Sequence, residues 1–260
     1  MEPKTLNVGS GWLWIRQGLY LFKKSPILWV VLTFMGITSL IAISSIPTVG
    51  DPLATLLFPV LFGGLLLGCR ALEDDEELEL PHLFAGFRNR TQQLVALGGL
   101  NLLGQLAIFG VMMATGGSEL VNILMSGTPV EDPAVFAHAI AGAGLSITIG
   151  LILFTLLLMA TQYAPMLVLF DNVAPIAALK LSIRACVNNL VPLSVYGIMM
   201  LLFALVASLP MMLGWLLLLP LMITSIYASY RGIFPKEEAP AAASGENDTP
   251  AAANDEQAEP

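Results

Sequence analysis

The sequence predicts an all-α polytopic membrane helical bundle: six transmembrane helices arranged as three units, each an interfacial amphipathic helix followed by a transmembrane hairpin. Three observations carry this. Of 260 residues, 56% are hydrophobic and 12% charged, with a mean hydropathy of +0.79, too little polar surface to cover a soluble globule. Six apolar stretches are long enough to cross a hydrocarbon core, which takes about 20 helical residues. With six spans drawn, every lysine and arginine falls on one side of the membrane.

The first element is "GWLWIRQGLYLFKKSP". On a helical wheel Trp12, Trp14, Ile15, Gly18, Leu19, Leu21 and Phe22 occupy one half, and Arg16, Gln17, Tyr20, Lys23 and Lys24 much of the other. Two tryptophans and a basic face predict a helix over 10–24 lying in the interface plane. A signal peptide fits poorly, because basic residues continue to Lys24 and no small-x-small cleavage site follows. Pro26 breaks the chain and opens span 1 at 27–47, which the turn "SSIPTVGDP" joins to span 2 at 52–70.

The run "EDDEELELP" holds six acids at 73–79 and reads as a solvated linker that also favours the start of the next helix. "LPHLFAGFRNR" spaces Leu80, Leu83, Phe84 and Phe87 helically and predicts a second interfacial helix over 80–90, ahead of span 3 at 92–115. Residues 116–142 are too polar to span and long enough to hold a short surface helix. Span 4 covers 143–169. The third interfacial helix, 175–188, sets Ile176, Leu179, Ile183 and Val187 on one face and Lys180, Arg184 and Asn188 on another. Spans 5 and 6, at 190–208 and 211–230, flank the turn "SLP". The membrane domain thus ends near residue 235, and 236–260, acidic and nearly free of aromatic and β-branched residues, is expected to be disordered.

Seven of the nineteen acids lie in that tail and six in the 73–79 run, so the membrane-embedded part is mildly basic despite a net charge of −8. The positive-inside rule places the basic side and both termini in the cytoplasm and turns 116–142 outward. Two isolated cysteines, Cys69 and Cys186, form no disulfide framework and are expected to stay reduced.

"GWLWIRQGLYLFKKSPILW", "FPVLFGGLLLGCRAL" and above all "LFAGFRNRTQQLVALGGLNLL" resemble an uncharacterised family of six-span proteobacterial inner-membrane proteins. That family is more distantly similar to the membrane domain of some glycerophosphodiester phosphodiesterases. The resemblance covers roughly residues 9 to 234 and implies a fold and a bacterial inner membrane, but no activity and no site residue.

Few residues could carry chemistry. No ionisable side chain falls at mid-depth in a span, where ion-coupled transporters and proton relays usually need one. Asn101 and Gln105 form an i, i+4 polar pair in span 3, read either as lining a polar path or as an interhelical hydrogen bond. Gly64 and Gly68 make a GxxxG in span 2 for close helix packing, within the bundle or in a homo-oligomer. Pro59, Pro165 and Pro220 interrupt spans as kinks or hinges. His82, His138, Cys69 and Cys186 assemble no nucleophile, base or metal cluster, so neither an enzyme nor a cofactor is expected.

Lys23, Lys24, Arg88, Arg90, Lys180 and Arg184 instead form a collar just ahead of spans 1, 3 and 5, where anionic head groups lie. A basic membrane collar also does not suit nucleic acid. The expected role is a non-enzymatic component that organises lipids, anionic phospholipid in particular, or a partner protein at the cytoplasmic face. A small permease or transporter subunit built around Asn101, Gln105 and the prolines is the alternative.

Overall fold

The structure is a computed structural model that describes residues 2–126 and 133–235; the predicted disordered tail lies outside the described residues. The helices are α1 (Ser10–Lys24), α2 (Pro26–Ser44), α3 (Gly50–Glu73), α4 (His82–Ala85), α5 (Thr91–Met112), α6 (Ser118–Ser126), α7 (Pro133–Gly142), α8 (Gly144–Gln162), α9 (Ala164–Phe170), α10 (Pro175–Asn188), α11 (Leu190–Ser208) and α12 (Trp215–Ile233). Six segments are long and apolar enough to cross a membrane: α2, α3, α5 continued through a break into α6, α8 with α9, α11 and α12. No strand occurs among the described residues.

The three units close into a ring. Each unit's leading short helix packs on the second span of the unit before it: α4 on α3, α10 on α8 and α9, and α1 on α12. The backbone amide of Lys4 donates to the carbonyl of Ile233 at 3.0 Å, so both described chain ends meet on the side that carries these short helices, here called the collar side. Small residues permit each contact. A Cβ on Gly18 would sit 2.6 Å from the Ser225 backbone, and one on Gly64 would sit 2.3 Å from the Leu83 carbonyl. At the third contact Ser182 enters the ladder of span 4: its hydroxyl accepts from the Tyr163 amide at 3.0 Å and donates to the Met159 carbonyl at 2.6 Å. A side chain inserted into an i→i−4 ladder kinks a helix, and Pro165 just beyond has no N–H to restore it. Predicted span 4 is therefore two helices, α8 and α9.

Other elements also depart from the sequence reading. The predicted interfacial helix over 80–90 is only the single turn His82–Ala85. Gly86 lies against the Val60 carbonyl, the amides of Phe87 and Arg88 bond back three residues, and Arg90 takes a left-handed φ of 55°. Close packing on α3 thus replaces helical extension, and of Leu80, Leu83, Phe84 and Phe87 only Leu83 is buried.

The other two interfacial helices form, but with different inner faces. On α1, Trp14, Ile15, Leu21 and Phe22 are buried in protein, where membrane was expected, while Trp12 remains exposed. On α10 the protein-facing side is Ala178, Ser182, Ala185 and Cys186, and the apolar face is turned out of the protein at Ile176 and Val187. Small residues let α10 approach α8; in lipid, large apolar residues lose nothing by facing out.

Span 6 begins at Trp215 rather than 211, because Met211 and Met212 take positive φ in the preceding turn. In the polar 116–142 region, α6 and α7 bring Leu120, Ala139 and Ala143 together with Met112 and Ile147 in a small satellite core.

Candidate functional site

The second spans of the three units, α3, α9 and α12, converge at the collar side. Glu73 is the last residue of α3, and Asp171 directly follows α9. The Tyr227 hydroxyl donates to Glu73, which also accepts from Arg231 Nε at 2.9 Å, and the Tyr230 hydroxyl donates to Asp171. Arg70 lies over the Phe170 ring, 5.4 Å from its centroid. Phe170, Tyr227, Tyr230 and Phe234 pack around this cluster, Phe170 T-shaped against Tyr227 and the other pairs tilted by 38–41°. Burial pushes the Asp171 carboxyl above its ordinary value, against the opposing pull of the Tyr230 hydroxyl and the Arg231 and Arg70 charges.

Beside the cluster a cleft of about 730 Å³ opens between α1 and the ends of α3 and α12. Arg16, Lys23, Lys24 and Arg231 line it together with Glu73 and Asp75, an excess of two positive charges. Its apolar wall includes Leu13, Leu19 and Tyr20. Lys24 Nζ donates to Asp75 and to the Leu72 carbonyl, each at 2.6 Å. That hydrogen bond raises the Lys24 pKa and lowers that of Asp75. Arg231 is held by Glu73, which leaves Arg16 and Lys23 as the two cations of the cleft that make no ion pair among the described residues.

The 73–79 run is thus not simply a solvated linker, because Glu73 and Asp75 fasten α3 to α12 and α1. The remaining collar residues lie apart from the cleft. Arg88 borders a shallow hollow with Phe84 and Phe87, Arg90 donates to the Gln93 amide oxygen at 3.1 Å, and Lys180 and Arg184 are exposed on α10.

Gly64 receives the Leu83 and His82 carbonyls, and Gly68 the Leu78 side chain, so the GxxxG face is occupied by this chain's own 78–83 segment. Asn101 and Gln105 do not act together: Asn101 lines a cavity with Pro59, Gln162 and Pro165, and Gln105 another beside Phe109 and Met112. Both cysteines are free and buried, and burial pushes the Cys186 thiol up to about 12. His138 is exposed, 3.6 Å from Glu119, and His82 caps its own turn through Glu79. Among the described residues no three His, Cys, Asp or Glu side chains are grouped as metal ligands.

Sequence reasoning did not single out Asp171, Tyr227, Tyr230 or Gln162. The signal available was an acid directly after span 4, and two tyrosines three residues apart beside Arg231 at the end of span 6.

The chain is 28% identical over 259 residues to a protein of Burkholderia thailandensis named "Probable inner membrane protein", an alignment covering 92% of this chain and 96% of that one. That name says nothing of a phosphodiesterase. No family model matches the chain, and no solved structure matches it.

Proposed function

We propose that this six-span membrane protein is a non-enzymatic component of a bacterial inner membrane that holds anionic phospholipid at its collar side, with that side and both termini in the cytoplasm. The observation that carries the reading is the cleft along α1: Arg16 and Lys23 stand over an apolar wall of Leu13, Leu19 and Tyr20. A phospholipid needs that pairing, a cation for the phosphate and a greasy surface for the chains. Each lysine or arginine near an anionic surface is worth about 1 kcal/mol, and exposed Arg88, Lys180 and Arg184 extend the attraction around the ring. The phospholipid would in turn give a partner protein a shaped surface. Val60, Leu66, Met166 and Leu167, fully buried on α3 and α9, weigh against a permease path through the collar side.

Native mass spectrometry of protein extracted in mild detergent tests this. Wild type should retain phosphatidylglycerol or cardiolipin, and Arg16→Gln with Lys23→Gln should lose most of it while keeping its melting temperature. Equal retention by wild type and the double variant would sink the cleft as a lipid site.

A further inference from the structure

We infer a second binding site, within the membrane: a notch between α3, α5, α8 and α9 that takes the head of a neutral, lipid-dissolved molecule through its carbonyl oxygens. The notch holds about 270 Å³, just below the usual range of small-molecule pockets and enough for a head group rather than a whole lipid. Phe58, Pro59, Phe62 and Leu97 form its apolar walls, and Asn101 and Gln162 supply its carboxamides. The Phe58 and Phe62 rings are parallel within 7°, with centroids 5.7 Å apart, and give one flat side.

The amides carry the inference. Asn101 lies ten residues into α5, roughly 15 Å along the helix, and Gln162 is eight residues before the collar-side end of α9. Both therefore sit at hydrocarbon depth, where an unsatisfied polar group is costly because no water is present to pair it. Neither side chain has a hydrogen-bond partner among the described residues, although Thr161, which also lines the notch, bonds back to its own helix. A bare acyl chain would fill the walls and leave both amides unpaired, whereas carbonyl oxygens on the occupant accept from the two carboxamide NH2 groups.

No charged side chain lines the notch, so the head is neutral. At its edge Phe58 is 49% and Leu158 50% exposed, which opens it sideways to a molecule arriving through the bilayer. Quinone carbonyls and the ester carbonyls of a diacylglycerol share this chemistry. The site is independent of the collar, since none of its lining residues lies in the cleft along α1.

Purified protein in detergent, titrated with decylubiquinone and separately with dioctanoylglycerol, tests the inference. At least one probe should bind saturably, and the one that does names the source. Asn101→Leu with Gln162→Leu should weaken it roughly tenfold or more, two hydrogen bonds being lost, and Gln105→Leu should leave it unchanged. Without ligand the double variant should melt no lower than wild type, because it removes unpaired amides from hydrocarbon. In wild type the bound probe's carbonyl infrared stretch should shift down, a readout that stands even if the variant fails to fold. Failure of both probes to bind saturably, binding undiminished in the variant, a lowered melting temperature without ligand, or an unshifted carbonyl would each overturn the inference. Loss of the collar's anionic lipid would not touch it.

Discussion

The same inner helices are built differently in their two halves. On the collar side Val60, Leu61, Leu65, Leu66, Cys69 and Leu72 of α3 and Met166, Leu167 and Val168 of α9 are buried. On the far side Leu53 and Phe58 of α3 and Leu151, Ile152, Phe154, Leu156 and Leu158 of α8 are exposed. In lipid there is little hydrophobic drive to bring apolar faces together, so the far half needs no protein cover. The collar half approaches water and head groups, and must satisfy a broken helix, two carboxylates and several cations. It does so by drawing three short helices inward. Tight packing in a membrane protein therefore marks where polar groups need partners, rather than where the chain is most apolar.

The largest expected effect sets a glycine from each half against the other. Gly64→Leu drives a side chain into the Leu83 carbonyl and should cost roughly 3 kcal/mol or more, seen as loss of monodisperse protein on size-exclusion chromatography after mild heating. Gly110→Leu, on the far side with nothing within 4 Å of its Cβ, should change little. If both variants survive equally, the two halves do not differ as described.

Next is the polar insertion at the helix break. Ser182→Ala orphans the Tyr163 amide and leaves the Met159 carbonyl only the Cys186 thiol at 3.6 Å, and should lower stability by about 1–3 kcal/mol. Ser39→Ala, whose hydroxyl bonds only to Met35 on its own helix, should stay within roughly 0.5 kcal/mol of wild type. Thermal melting in one detergent compares them. Equal shifts would mean that Ser182 does not hold the break.

How much of this was legible beforehand follows the same division. Spans were readable because a run such as 190–208 needs only apolar content and length, and those are properties of composition. The collar half was not, because its decisive contacts are between residues far apart in sequence: Glu73 with Tyr227 and Arg231, Ser182 with Met159, Gly18 with Ser225. On α10 periodicity marked the apolar face of Ile176 and Val187, which the protein leaves exposed, and did not mark the small residues that face inward. Hydrophobic pattern finds a protein-facing stripe in water, but in a membrane the protein-facing stripe can be the small one. Asn101 and Gln105 were rightly noticed as polar, yet i, i+4 spacing could not tell that two different cavities receive them.

The smallest effect tests whether the collar half is held by its charges as well as by its packing. Asp75 and Asp171 should respond to acid in opposite directions. The Lys24 hydrogen bond lowers the Asp75 pKa in the fold, so its stabilisation is present above the unfolded value near 3.9 and disappears as pH falls through the lower folded value. Burial raises the Asp171 pKa, so the folded state holds a proton where the unfolded chain has already released it. The burden of burying that charge is present above the raised value and is relieved as pH falls through it. Acidification from pH 7 should therefore leave the melting temperature level or slightly raised while Asp171 protonates, then lower it below about pH 4 as Asp75 does. Asp171→Asn should abolish the first phase and Asp75→Asn weaken the second. Because Asp75 is largely exposed, its part should also shrink in high salt. A wild-type profile that both variants reproduce unchanged would mean that neither carboxylate contributes, and that the collar half stands on close packing alone.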